Sequence, residues 1–170
     1  MSEPQKFVLR STLTSPFGRK VRMALEVLGL ADRVTVVPAN PLDENDTLRQ
    51  QNPLGKMPCL VCPDGSTIYD SGVIIEYLQE LSGGKRLLPV RRSARYKALT
   101  RARLADGIMD ASILVVYDSR FRPGEAPSEK WLAHQRGKIN RVLTLILLRF
   151  PAFLGLGPRL GPAVATRKSH

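Results

Sequence analysis

The sequence predicts an α/β domain of βαβ-ββα order with a mixed sheet, followed by an all-α region. Three observations carry this. Short apolar runs at residues 7–9, 33–37, 59–62 and 67–69 are each bounded by turn-forming residues, as strands are. Two stretches beside them place apolar residues at helical spacing. From Ser82 onward strand-like runs cease, and only helical spacing continues to about residue 149.

Phe7-Val8-Leu9 is a first buried strand ahead of a run of Ser and Thr. From Phe17 onward Val21, Ala24, Leu25 and Leu28 keep helical spacing, Arg19, Lys20, Arg22 and Glu26 fall on other faces, and Gly29 supplies a stop. Residues 33–37 are β-branched and short, a second strand; residues 38–46, rich in Pro, Asn and Asp, form a loop. Residues 59–62, the turn Pro63-Asp64-Gly65-Ser66 and residues 67–69 make a hairpin, and Ile74, Ile75, Leu78 and Leu81 mark the next helix. The domain runs over residues 1–81. Ser82-Gly83-Gly84-Lys85 and Leu88-Pro89 break every period, so residues 82–91 are a linker.

A partial helical domain follows over residues 92–149. Its first helix runs from Arg92 to about Tyr117 with imperfect periodicity, and its basic first turn opposes the helix dipole. The stretch 120–127 is a loop, Ser128 is placed to cap, and Leu132, Gln135, Ile139, Val142, Leu143 and Ile146 carry the last helix. Prolines and glycines are too frequent in residues 150–170 for a helix or strand interior, which predicts a disordered tail.

Charge and cysteines narrow the function classes. Lys and Arg number 26 against 15 Asp and Glu, a net charge of +11, which would draw the chain to anionic partners. Yet no acid follows Glu129, while Lys130, Arg136, Lys138, Arg141, Arg149, Arg159, Arg167 and Lys168 do. The excess belongs to the last part of the chain, which weighs against nucleic acid as the partner of the first domain. The start shows no secretory pattern and no apolar run reaches the roughly 20 residues of a membrane span, so a cytoplasmic protein is expected. Cys59 and Cys62 lie three apart in a strand, where side chains at that offset point to opposite faces, and no second ligand pair exists. A structural role is expected for both. Asp106 and Asp110 share a helix face without a His, which reads as a solvated or capping feature ahead of a metal site.

The segment that organises the chain is Asn52-Pro-Leu-Gly-Lys-Met-Pro-Cys-Leu60, a rigid turn entering a strand. Met57-Pro58 is a candidate cis bond that would turn the Met57 N–H and C=O outward, where a peptide could pair with them. Asp70-Ser71 opens the following helix, where a hydroxyl and free backbone N–H groups favour a carboxylate.

Pro-Leu-Gly-Lys-Met-Pro, then Asp-Ser before Ile-Ile-Glu-Tyr-Leu, with Thr14-Ser15-Pro16-Phe17 earlier and Ala105-Asp106-Gly107-Ile108-Met109-Asp110 later, resembles the soluble glutathione S-transferases. It is similar to small bacterial-type members with Thr-Ser-Pro-Phe, over roughly the first 140 residues. The resemblance implies a thioredoxin-like first domain, glutathione as cosubstrate, and conjugation of its thiolate to a small electrophile, or a related glutathione-dependent reduction, in a detoxifying cytoplasmic enzyme. It implies that the Met57 backbone, with Pro58 beside it, binds the cysteinyl part and that Asp70 and Ser71 bind the γ-glutamyl end; Lys56 is in reach of the glycyl carboxylate and also reads as a solvated lysine. Ser15 resembles the serine that donates to the thiolate. It precedes Pro16 at the positive end of a helix, which suits that task and also suits simple capping; Thr14 is a second hydroxyl for the same role. A homodimer is the assembly implied.

Nothing from about residue 142 matches the family, as a truncated or frame-shifted terminus would explain. Much of the wall for the electrophile would then be missing. Two other functions therefore stand beside the transferase: a non-catalytic binding module on the same fold, and a product that binds glutathione without turnover.

Overall fold

The computed structural model describes residues 6–84 and 87–149, so the expected tail lies outside the described residues. Four strands form one sheet in the order β2-β1-β3-β4, from β1 (Phe7–Arg10), β2 (Val34–Val37), β3 (Cys59–Val61) and β4 (Thr67–Tyr69). β1 runs parallel to β2, while β3 is antiparallel to both β1 and β4. The parallel pair needs a crossover, which α1 (Pro16–Leu28) supplies, and the antiparallel pair needs only the turn at Asp64 and Gly65. With α3 (Ser71–Leu81) after β4, this is the thioredoxin-like order predicted from the sequence.

The core lies between the sheet and the helices α1 and α3. Phe7, Leu9, Leu60, Val21, Leu25, Leu28, Ile74 and Leu78 are buried in one cluster. Val21, Ala24, Leu25 and Leu28 are the helix positions singled out by spacing, and all are buried. Gly29 closes α1 in the left-handed region, φ 70°, its N–H bonded to Glu26 C=O, the arrangement glycine tolerates best.

Local corrections follow from short-range geometry. Arg33 belongs to a 3-10 turn, Ala31–Arg33, and not to the strand. A four-residue helix α2 (Leu48–Gln51) follows the predicted loop; it is too short to show a period in the sequence. The long helix α4 (Arg92–Phe121) takes in Arg120 and Phe121, which were expected in a loop. Its last turn gains an ion pair from Asp118 to Arg122 at 3.4 Å. α5 (Glu129–Arg149) begins after Ser128, whose carbonyl accepts the Leu132 N–H at 2.9 Å.

The chain divides into two compact units at Arg101/Ala102, inside α4. In the second unit Asp106 and Ala111 of α4 and Leu132 and Gln135 of α5 are buried. No helix among the described residues is long and apolar enough to cross a membrane.

Candidate functional site

Two ladders bring the predicted site residues to one end of the sheet. Arg10 at the end of β1 stands opposite Cys59 at the start of β3, so the chain leaving β1 lies beside the chain entering β3. Cys59 in turn stands opposite Tyr69, so the chain leaving β4 reaches the same end. α1 begins six residues beyond β1 and α3 two beyond β4, counting from Arg10 to Pro16 and from Tyr69 to Ser71. Thr14 and Ser15, residues 56–58, and Asp70 and Ser71 are therefore gathered at one end of the sheet, with two helix N-termini among them. Such N-termini carry free N–H groups and a partial positive charge.

Ser15 is buried and caps α1, its Oγ accepting the Gly18 N–H at 3.1 Å. A hydroxyl has one proton and two lone pairs, so a cap that accepts leaves the proton to donate. Capping and thiolate stabilisation are thus compatible uses of one side chain. Gly18 is required here: a Cβ on it would run into Ser11 Oγ and lie 3.3 Å from Ser15 Cβ. The close approach of the first turn of α1 to the residues after β1 depends on that missing atom.

The Met57-Pro58 bond is cis, as the sequence suggested. Pro58 is buried, Met57 half-buried, and neither the N–H nor the C=O of Met57 enters a hydrogen bond among the described residues. Buried or half-buried backbone groups are rarely left without partners, so this pair is available to a peptide backbone. The turn before it is built by Asn52, whose Oδ1 accepts the Leu54 N–H at 3.1 Å and whose Nδ2 donates to the Lys56 C=O at 2.7 Å. Lys56 thus has its carbonyl committed and its side chain exposed.

Asp70 caps α3 by accepting the Gly72 and Val73 N–H groups on Oδ1, at 2.7 and 3.2 Å. Oδ2 is left over. The residue sits at φ 71°, ψ 123°, a region that L-residues avoid at a cost of order 1–3 kcal/mol. Strain of that kind is concentrated at functional sites, and here it directs the carboxylate to the helix end. Ser71 is buried, and its hydroxyl forms no hydrogen bond among the described residues.

Two residues near this end of the sheet escaped the sequence reading. Thr12 donates to Met57 Sδ at 3.4 Å and lies 3.2 Å from Thr14 Oγ1; a contact spanning 45 positions leaves no local signal, and only the hydroxyl-rich run hinted at it. Arg10 ends an apolar strand yet is buried, bonded to Thr47 Oγ1 at 2.9 Å, Pro38 C=O at 3.2 Å and Asp46 Oδ1 at 2.7 Å. The Asn40 N–H, followed by the Leu48 N–H and Arg10, holds the Asp46 carboxyl below its ordinary value of 3.8, against the opposing pull of burial. Together they fasten the predicted loop to the sheet.

Cys59 and Cys62 are free and buried, and burial pushes the Cys59 thiol up, away from the reactive thiolate. Asp106 pairs with Arg103 at 3.0 Å, and no group of three or more His, Cys, Asp or Glu able to hold a metal occurs among the described residues.

Comparison with known proteins identifies the family of the chain. The family model described as the glutathione S-transferase N-terminal domain matches residues 14–81. An Escherichia coli (strain K12) protein, the uncharacterized GST-like protein YibF, is 35% identical over 138 residues, covering 81% of this chain and 67% of its own length. A glutathione transferase family member from Pseudomonas fluorescens Pf-5, solved with bound glutathione, is 41% identical with a TM-score of 0.80, over 88% of this chain and 74% of that one. A glutathione S-transferase from Methylobacillus flagellatus, also solved with glutathione, is 32% identical with a TM-score of 0.79, over 86% and 71%. With the thioredoxin-like sheet described above, these likenesses make this chain a member of the glutathione S-transferase family.

Proposed function

We propose that this chain binds glutathione at the site formed by Ser15, Met57 and Asp70-Ser71, and that it transfers the glutathione sulfur to a small electrophile. The observation that carries the reading is the unpaired N–H and C=O of Met57 at the same end of the sheet as two helix N-termini. An extended cysteinyl residue pairs with the Met57 backbone as a further strand would. The γ-glutamyl carboxylate takes the Ser71 hydroxyl and the N-terminus of α3, and the ammonium takes Asp70 Oδ2. Pro58 keeps the Met57 peptide turned, and Lys56 serves the glycyl carboxylate.

Glutathione supplies the nucleophilic sulfur. Ser15 stabilises its anionic form by donating the proton that capping leaves unspent, aided by the positive end of α1. Donation to the charged form favours that form and so lowers the pH at which the thiol ionises. Ser15→Ala is expected to lower kcat for conjugation of a generic aromatic electrophile by about 10- to 100-fold, the loss of one hydrogen bond to a charged group. The glutathione Kd should move far less. Unchanged turnover would remove Ser15 from the reaction.

A second reading, glutathione binding without turnover, is favoured by the second unit. Leu143, Leu145, Leu147 and Leu148 of α5 are exposed, and the chain spans 67 to 74% of the relatives described above. In that case recognition by the first unit persists without transfer. A homodimer would cover some of this apolar surface, and the free thiols of Cys59 and Cys62 fit a reducing, cytoplasmic setting.

A further inference from the structure

We infer that Thr12 is a positioning residue for this site: it ties the hydroxyl turn to Met57 and spends the Thr14 proton, leaving Ser15 as the donor to sulfur. The inference rests on the proposed glutathione site and assigns a role within it. Thr12 Oγ1 makes two contacts, to Met57 Sδ at 3.4 Å and to Thr14 Oγ1 at 3.2 Å. Thr12 has one proton. A thioether has none to give, so the bond to Met57 uses the Thr12 proton, and the second contact is a hydrogen bond only when Thr14 donates to Thr12. The chain of donation therefore runs from Thr14 to Thr12 to the Met57 sulfur. The hydroxyl of Thr14 is committed, whereas that of Ser15 accepts from Gly18 and keeps its proton.

The backbone of Thr12 serves the same end. Its C=O accepts the Ser15 N–H at 3.3 Å and the Ser11 hydroxyl at 3.4 Å. One residue thus holds Ser15 through its main chain and Met57 through its side chain. Continuing the β1–β3 pairing past Arg10 and Cys59, residue 12 falls opposite residue 57, which explains how the contact arises. The two segments assigned to the thiol and to the cysteinyl backbone are set at a fixed spacing by this contact.

The test measures glutathione affinity by calorimetry, ionisation of the bound thiol by ultraviolet absorbance against pH, and the Met57 methyl resonance of the free protein. Thr12→Val is expected to shift that resonance and weaken glutathione by about 2- to 10-fold, the range of one net hydrogen bond. Thr12→Ser, which restores the hydroxyl, should recover both. Met57→Leu should cost the same, and the double variant should lose no more than the worse single one, since both remove one contact. Thr14→Val should leave the thiol ionisation where the wild type has it, while Ser15→Ala raises it.

Independent losses in the double variant, or Thr12→Val with wild-type affinity and resonance, would overturn the tie. A thiol ionisation displaced by Thr14→Val as far as by Ser15→Ala would overturn the proton assignment. Failure of Ser15→Ala to move the ionisation would sink the Ser15 role alone, with the Thr12–Met57 coupling still decided by the double variant. Absence of glutathione binding by the folded wild type would overturn both readings together. If Thr12→Val does not fold, Met57→Leu and Thr12→Ser carry the same comparison.

Discussion

α1 and α5 both carry apolar residues at helical spacing, yet they end in different surroundings. Of the 13 residues of α1, Gly18, Val21, Ala24, Leu25 and Leu28 are buried, whereas α5 has 21 residues and buries Leu132 and Gln135. The difference is one of partners. α1 has a sheet and α3 to pack against within its own unit, while Leu148 near the end of α5 is 76% exposed. Spacing tells which face of a helix is apolar and nothing about whether a second element covers it. The first unit therefore contains a closed core and the whole proposed glutathione site, and recognition of the cosubstrate should be separable from the chemistry that needs the helical unit.

The largest effect that tests this contrast is on stability. Leu60, fully buried in β3, should cost about 2–5 kcal/mol as Leu60→Ala. Leu148→Ala should stay within about 0.5 kcal/mol. Urea unfolding followed by circular dichroism gives both values, and equal costs would break the comparison. The single tryptophan, Trp131, lies in α5, so its fluorescence reports the second unit separately. Non-coincident transitions would sharpen the comparison further.

A smaller effect concerns acid. Asp46 is held below 3.8 in the folded chain by the Asn40 and Leu48 amides and by Arg10. A depressed carboxyl contributes stability that is present above 3.8 and lost as pH falls through the lower folded value. The carboxyl carbon of Asp46 should therefore titrate below 3.8 by NMR, and its contribution to stability should be lost as pH falls through that lower value. Titration at or above 3.8 would mean that the Asn40, Leu48 and Arg10 contacts to Asp46 are not formed in solution.

Much of the first unit was legible in the sequence because each element announces itself locally. Val21 to Leu28 share a face, Gly29 stops the helix, Asp64 and Gly65 turn the hairpin, and the Met57-Pro58 bond follows from a proline at a strand mouth. What was not legible is what distance in the chain conceals. Arg10 reads as the charged end of a strand, and only folding brings it to Asp46, 36 positions away. Thr12 reads as one of several hydroxyl residues until the antiparallel pairing sets it against Met57. Ser15 posed a choice between capping and donation; the cap is observed, and its accepting lone pair leaves the proton for the proposed donation. α2 was missed because four residues hold barely one helical turn.

The central claim is that the first unit holds glutathione through Met57 and Asp70-Ser71, whatever the state of the helical unit. Its most direct test is calorimetric titration of the purified full-length chain with glutathione, for the wild type and for Asp70→Asn. Asparagine keeps an oxygen to accept the Gly72 and Val73 N–H groups and puts an NH2 donor where Oδ2 stands, so the charge and the acceptor offered to the ammonium are removed together. One-site binding that weakens by about 10- to 100-fold in the variant is expected, the value of a charge-assisted hydrogen bond to the ammonium. No heat of binding from a folded wild-type chain, or equal affinity of the two proteins, would contradict it.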